Sequence, residues 1–446
     1  MDISESFRGA EFVVDQAKEL GADDCVATVT KSLARQLKFV NNEIATSKAW
    51  DFVNTNVFMS VGKRIISSTI RETDEARIRE AVKSLLAVAG KMQPKKDYNG
   101  IAKGPFQYRE IQETFDQKVA SLAEGGVDIV SSAVDKALEK GVKRCSGVLL
   151  WNSSESFKAT SGGVKASEKG TDMQFSLRAL VDKEMSGHRV GLSRMMGKLD
   201  HNRIALEAAD MAVKASRPSD GKVGKYDVLF HPMAFANLMS YTANSFSAFY
   251  VDSGFSFLAD KIGKKVASDM FSLTDDGTVP NGYWSTKYDE EGHPVRPTPL
   301  VKDGVMQTYL HNTSTARNHK TESTGNAGLI SPSAWNIDIR QGDMEVEDMI
   351  SSIKDGLYVT NLWYTRFTNY RTGDFSTIPR DAIFRVKDGK ITGNWKSIRI
   401  SDNMLNIMRN VSALSRAKEQ VYWWETSVPV TTPHVLVKGV NVTKPQ

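Results

Sequence analysis

A chain of 446 residues, 40% hydrophobic and 25% charged, has the balance of a water-soluble globular protein with two or three cores. Its net charge of +5 is small and its Lys and Arg are scattered, so a nucleic-acid footprint is not expected; no apolar run approaches the roughly 18 residues of a membrane helix. Two cysteines, Cys25 and Cys145, and an opening Met1, Asp2, Ile3 and Ser4 without basic or apolar character point to a reducing cytoplasm and no secretory signal.

Ala10, Val13, Val14, Ala17 and Leu20 share one helical face, and Gly21 predicts where that helix stops. Residues 25–30 and a second piece ending at Phe39 alternate as strands, Asn41 and Asn42 supply a tight turn, and 57–70 read as further sheet. Asp74 opens a helix with Ile78, Val82, Leu85 and Ala89 inward, which completes an N-terminal α/β domain over residues 1–90. Residues 91–112, with Pro94, Gly100, Gly104 and Pro105, read as an exposed connector. Residues 113–218 form a middle α/β segment packed with the first. It holds a helical pattern split at Gly125 and Gly126, strands at 142–152 and 174–181 around a turn at 161–163, and a helix through Ile204, Ala208, Met211 and Ala215.

Residues 219–446 read as a large, mostly antiparallel β domain with a partly barrel-like sheet, so the fold class is α+β. Two tight hairpins are expected at Asp303-Gly304 and Asp388-Gly389. Ahead of them, the apolar run Val228 to Phe230 leads into His231 and Pro232. Phe235, Leu238, Met239, Thr242, Phe246 and Phe249 then fall on one helical face, predicting a strand that feeds a buried helix with His231 at its mouth. A zinc hydrolase uses such a helix to carry a His, a Glu beside it and a second His on the same face. Here the neighbours are Pro232, Phe235 and Ala236, which furnish neither base nor ligand.

At this point the chain resembles the TldD/PmbA family, also called TldD/TldE or "modulator of gyrase". The resemblance rests on residues 17–22 (AKELGA) with 39–43 (FVNNE), on 310–317 (LHNTSTAR) leading into 322–326 (ESTGN), on 371–376 (RTGDFS) and on 408–413 (MRNVSA). In that family the TldD kind of subunit carries His-Glu-x-x-x-His at the strand–helix junction and a Cys near the C-terminus as third ligand. The PmbA/TldE kind lacks them and pairs with a TldD subunit. His231 stands alone in this chain, Pro232 and Ala236 occupy the places of the Glu and second His, no Cys follows Cys145, and Tyr422, Trp423 and Trp424 lie near the third-ligand position. The resemblance therefore implies a non-catalytic PmbA/TldE-like subunit with no metal of its own. It would form a heterodimer with a zinc-bearing TldD-like partner that acts on unfolded peptides. The "gyrase" label finds no support in the residues.

Other positions leave alternatives open. His311 and His319, with Arg317 near them, read either as a relocated metal or cleft-lining loop, shared with His231, or as a polar loop bonded to its own backbone. Gly373, Asp374, Phe375 and Ser376 read as a cleft lining where backbone approaches a ligand, or as an Asx turn. Ser376 has no histidine partner nearby in sequence, which speaks against a Ser/His/Asp enzyme. His188 and His201 flank Met195 and Met196 without ligand spacing.

Overall fold

The computed structural model describes residues 3–444 except 73, 183, 184 and 216. Helix α1 (Ile3–Glu19) ends as its glycine predicts: Gly21 sits at φ 89° and the Ala22 amide reaches back to the Ala17 carbonyl. Strands β1 (Asp24–Val40) and β2 (Glu43–Val61) follow, joined by Asn41 and Asn42 at φ 51° and 75°, the left-handed pair that a two-residue hairpin requires. The two strand pieces expected before Phe39 are thus one continuous strand. β3 (Arg64–Ile70) and α2 (Glu75–Ala89) come next, and the Asp74 side chain caps α2 by accepting from the Arg77 amide. After the connector stand α3 (Gly126–Leu138), β4 (Arg144–Thr160), β5 (Lys165–Leu180), β6 (Ser186–Ser193) and α4 (His201–Lys214). β4 and β5 run well beyond the segments expected from alternation.

The strands from both segments make one antiparallel sheet in the order β3-β2-β1-β4-β5-β6. One face carries these four helices. α1 and α2 cover Cys25, Ala27, Val57 and Met59 at one end of the long strands; α3 and α4 cover Phe39, Leu149, Trp151 and Phe175 at the other. The opposite face mixes polar and apolar residues and rests largely on the C-terminal half: Gln174 donates to the Tyr422 carbonyl, and Lys158 to the carbonyls of Asp289 and Glu290, while Val190 and Leu192 join the core of that half. That second covering explains why alternation alone underestimates these strands, since polar side chains on both sides of a short apolar run mask its length.

The connector is exposed over residues 91–97, as its prolines and glycines predict, but it is pinned further on. Tyr98, Ile101 and Ala102 are buried, with Tyr98 and Ile101 packed against Val26, Phe58 and Ile65. The Ala102 amide and the Thr313 hydroxyl are both held by Glu291.

The C-terminal half builds a twelve-stranded sheet on β7 (Gly224–Phe230), β8 (Leu273–Asp275), β9 (Thr298–Lys302), β10 (Ile337–Ile339), β11 (Asp355–Asn369), β12 (Asp374–Lys387), β13 (Arg399–Asn403), β14 (Val411–Val421) and β15 (Val430–Thr443), with further strands at Ser219–Asp220, Val305–Met306 and Lys390–Lys396. Most pairs are antiparallel; β7 with β11 and β10 with β15 are parallel. The pairing returns on itself, since β7 bonds β11, β11 bonds β12, β12 bonds β13, β13 bonds β15 and β15 bonds β7. The Asp303-Gly304 and Asp388-Gly389 hairpins are both formed.

Helix α5 (Pro232–Ala243) lies against the inner side of this sheet, and every residue except Tyr241 is buried. It stops short of the expected Phe249. A 3-10 turn over Asn244–Phe246 intervenes, Ser247 donates its hydroxyl to the Pro332 carbonyl, and the Ala248 amide bonds the Leu310 carbonyl. A small polar side chain with a partner in a neighbouring loop ended a helix whose apolar series ran on.

Candidate functional site

β7 delivers His231 to the mouth of α5. Its backbone is extended at φ −62° and ψ 153°, its amide bonds the Val359 carbonyl, and its Nδ1 caps the helix by accepting from the Met233 amide at 3.1 Å. Pro232 follows at the first helical position, where it lacks nothing. The His231 Nε2 faces the Nη1 of Arg189, 3.0 Å away on β6. Arg189 is 1% exposed, and its guanidinium also donates at 2.8 Å to Glu207 on α4 and at 2.7 Å to Glu419 on β14. The His434 ring stands edge-on to His231 at 4.8 Å between centroids, with its Nε2 3.1 Å from the Tyr358 hydroxyl.

The electrostatics of this cluster are set by the arginine. Burial alone would lower the Arg189 pKa, but Glu419 and Glu207 outweigh burial and hold it above the usual value. Burial opposes the Glu419 charge too, yet Arg189 keeps its pKa below the usual range. Burial and then Arg189 push His231 well below 6.5, and His434 falls to about 4 with burial as the leading cause. Both rings are therefore neutral at pH 7. A neutral imidazole has one lone pair, and at His231 two donors, the Met233 amide and Arg189, already compete for it.

A zinc centre does not fit here. The ring nitrogen that would face a metal faces a fixed cation, Pro232 has no carboxylate, and Ala236 is a fully buried methyl. Further along α5, Asn237 donates to the Glu425 carbonyl and accepts from the Thr365 hydroxyl, so it serves packing. Tyr422 lies beside Tyr283 and Trp284, Trp423 is buried against His188 and Trp363, and Trp424 is exposed. Among the described residues no group of three His, Cys, Asp or Glu could hold a metal ion.

The remaining candidates separate. The His311 ring contacts the Thr315 hydroxyl and lies 5.1 Å from His319, whose Nε2 bonds Asp252 at 2.8 Å; the rings thus bond side chains instead of the loop's own backbone, and among the described residues they form no metal-holding group. Arg317 bonds the Asn99 carbonyl and clamps the connector. Asp374, Phe375 and Ser376 line a concavity of about 1170 Å³, which neither His311 nor Arg317 reaches. Gly373 precedes them at φ 83°, a backbone that disfavours any side chain. His188 is more engaged than its spacing suggested: its Nε2 is 2.9 Å from the Ser176 hydroxyl, and Asp381 stands 4.0 Å from Nδ1. The Asn361 amide donates to Nδ1 at 3.2 Å, so the proton sits on Nε2 and points at Ser176. That is the wrong tautomer for a base.

Sequence reasoning placed His231, Pro232 and Ala236 and missed Arg189, Glu207, Glu419 and His434. These come from β6, α4, β14 and β15, and no spacing connects them.

This architecture, a helix-covered antiparallel sheet set on a self-closing sheet around a buried helix, is that of known solved proteins. A structure titled TldE from Thermococcus kodakarensis matches with TM-score 0.86 at 22% identity, covering 97% of this chain and 99% of that one. One titled a putative modulator of DNA gyrase from Bacteroides thetaiotaomicron matches with TM-score 0.86 at 19% identity, over 100% of both chains. Models of the PmbA/TldA metallopeptidase central and C-terminal domains match residues 112–215 and 223–444. The chain belongs to the TldD/PmbA family. Among curated relatives, a protein named metalloprotease PmbA homolog from Haemophilus influenzae is 24% identical over 92% of this chain and 90% of its own length. A metalloprotease of Methanocaldococcus jannaschii is 27% identical over 53% of this chain, and the match spans about half of that relative's length.

Proposed function

We propose that this chain is a non-catalytic, PmbA/TldE-like subunit of a TldD/TldE-type zinc metallopeptidase acting on unfolded peptides in the cytoplasm. The observation that carries the reading is the Arg189 guanidinium, which stands against His231 where a metal ligand's lone pair would be needed. Family membership supplies the metallopeptidase frame, and the residues at 231, 232 and 236 leave that frame without base or ligand set in this chain. The missing zinc, glutamate and Cys then belong to a TldD-like partner, with which this subunit forms a heterodimer. Water without metal assistance, pKa near 15.7, is a poor nucleophile at neutral pH, so the chain alone is inert toward peptides.

The test is a mixture of this chain with a TldD-like protein from the same source, followed by sedimentation and by cleavage of an unstructured peptide. A co-sedimenting complex whose cleavage a chelator abolishes is the expected result. Separate sedimentation, or equal cleavage by the lone chain, overturns the reading.

A further inference from the structure

A concavity of about 1170 Å³ lies away from His231. Its lining includes β12, β13 and β15, whose Ser376, Ser401 and Thr443 alternate with the core residues Phe375, Ile400 and Val442, and Phe375 itself also borders the concavity. Three hydroxyls cross these neighbouring strands in a row: Ser376 to Ser401 at 3.1 Å, and Ser401 to Thr443 at 3.0 Å. Each hydroxyl can donate or accept, so the row can turn a proton toward an incoming oxygen and polarise its neighbours as it does so.

The charges around the floor are unequal in availability. The Asp402 carboxylate already accepts three protein hydrogen bonds, from the Asn403 and Asn441 amides at 2.7 and 2.8 Å and the Asn406 side chain at 2.9 Å. Asp374 is tied to Asn403 at 2.9 Å and to Thr372 at 2.5 Å. The cations on the same wall are less committed. Arg366 donates to the Tyr241 hydroxyl and the Thr365 carbonyl through one nitrogen, Nη1. Lys225, Arg399 and Lys444 have no ion pair among the described residues. With four cations, Lys225, Arg366, Arg399 and Lys444, against the two carboxylates of Asp374 and Asp402, the hydroxyl-floored hollow favours oxyanions.

We propose that this concavity binds acidic peptide segments, whose carboxylates take Lys225, Arg399 and the outer guanidinium edge of Arg366 and whose oxygens accept from the Ser376–Ser401–Thr443 row. A carboxylate meets guanidinium in a two-point contact, whereas a neutral peptide gains only the hydroxyls. The assignment rests on the peptide-handling reading above and gives it a substrate class: stretches rich in Asp and Glu are retained by this subunit while the partner cleaves.

The test is fluorescence anisotropy of a labelled Glu-rich peptide with the full chain alone, beside a length-matched Ser/Gly peptide and inorganic phosphate as competitor. Saturable binding of the acidic peptide, weakened at least about tenfold by Lys225→Glu with Arg399→Glu and falling steeply with salt, is expected. Among the described residues both substituted side chains lack an ion pair, so the variant's thermal unfolding should match the wild type and certify its integrity. Ser401→Ala serves as a milder probe that leaves the charges in place and should weaken binding severalfold. Equal binding by wild type and the charge-reversed variant, equal binding of the Ser/Gly peptide, or displacement by phosphate at lower concentration than by the acidic peptide itself overturns the assignment. These outcomes are independent of whether a complex forms and cleaves, so a failure here is distinguishable from failure of the subunit reading.

Discussion

At the scale of single residues the decisive side chain is Arg189, because it converts a strand–helix junction that could present a histidine to a metal into an internal ion cluster. Breaking a buried pair by removing one partner typically costs about 3–5 kcal/mol, since it strands the opposite charge. Arg189→Ala should therefore lower stability by that order in denaturant unfolding, and Arg189→Lys should recover only part, because an ammonium cannot serve His231, Glu207 and Glu419 together. His231→Ala removes a helix cap worth about 0.5–2 kcal/mol and should leave cleavage by the assembled complex within about threefold. A thousandfold drop would mean His231 works on the substrate or a metal. The double change Pro232→Glu with Ala236→His should still give a metal-free chain by elemental analysis. The guanidinium remains at His231, no Cys supplies a third ligand, and a five-residue step turns an ideal helix by about 500°, roughly 140° off one face, so the pair would converge only with a local π-type widening of α5. Stoichiometric zinc in that variant would refute the argument. His231 and its two helical neighbours were legible because a strand followed by His-Pro and a buried helix is a local pattern. Arg189 was not, since only the folded sheet brings β6 beside β7's end.

At the scale of elements, turn chemistry was the most readable signal. Asn41-Asn42, Asp303-Gly304 and Asp388-Gly389 each place two residues at positive φ, a requirement few sequences meet by accident. The long strands and the connector were less readable, because their second face is covered by residues more than a hundred positions away. Gly373 shows how much a loop can depend on one missing side chain. At φ 83°, a Cβ there would also come 2.9 Å from the Phe257 ring. Gly373→Val should lower the unfolding temperature more than His231→Ala in parallel thermal scans, and should weaken acidic-peptide binding by displacing Asp374 and Ser376. Unchanged unfolding and binding would show that the loop yields freely.

At the scale of the whole molecule, buried carboxylates join the parts. Burial, and then Asp289, raises the Glu291 pKa; burial raises Asp289 as well. Asp275 is pushed up to about 7 by burial against the opposing pull of Asn326 and the Trp335 and Asn336 amides. A group whose folded pKa lies above its unfolded value stabilises fully below the unfolded value and loses that contribution as pH rises through the folded one. Stability should thus decline from the ordinary carboxylate range, about pH 4, toward pH 7 and above. Because Glu291 is the acceptor that ties Ala102 in the connector to Thr313, Glu291→Gln should flatten part of this slope while keeping the bonds. Urea titrations from pH 5 to 8 read the slope directly, and an unaltered profile in the variant would assign it to other groups. None of this was visible in the sequence, where Asp289 and Glu291 look like an ordinary polar turn.

The way α5 is enclosed bears on how the protein is made. The helix is mostly apolar and buried on nearly all sides, so it has no stable place in water before its surroundings exist. The strand that completes those surroundings is β15, which bonds β7, β10, β13 and β14. During synthesis, residues 232–243 therefore leave the ribosome some two hundred residues before the strand that shelters them. At about 5–20 residues per second that interval lasts tens of seconds, long enough for a chaperone to hold the segment and for crowded nascent chains to aggregate through it.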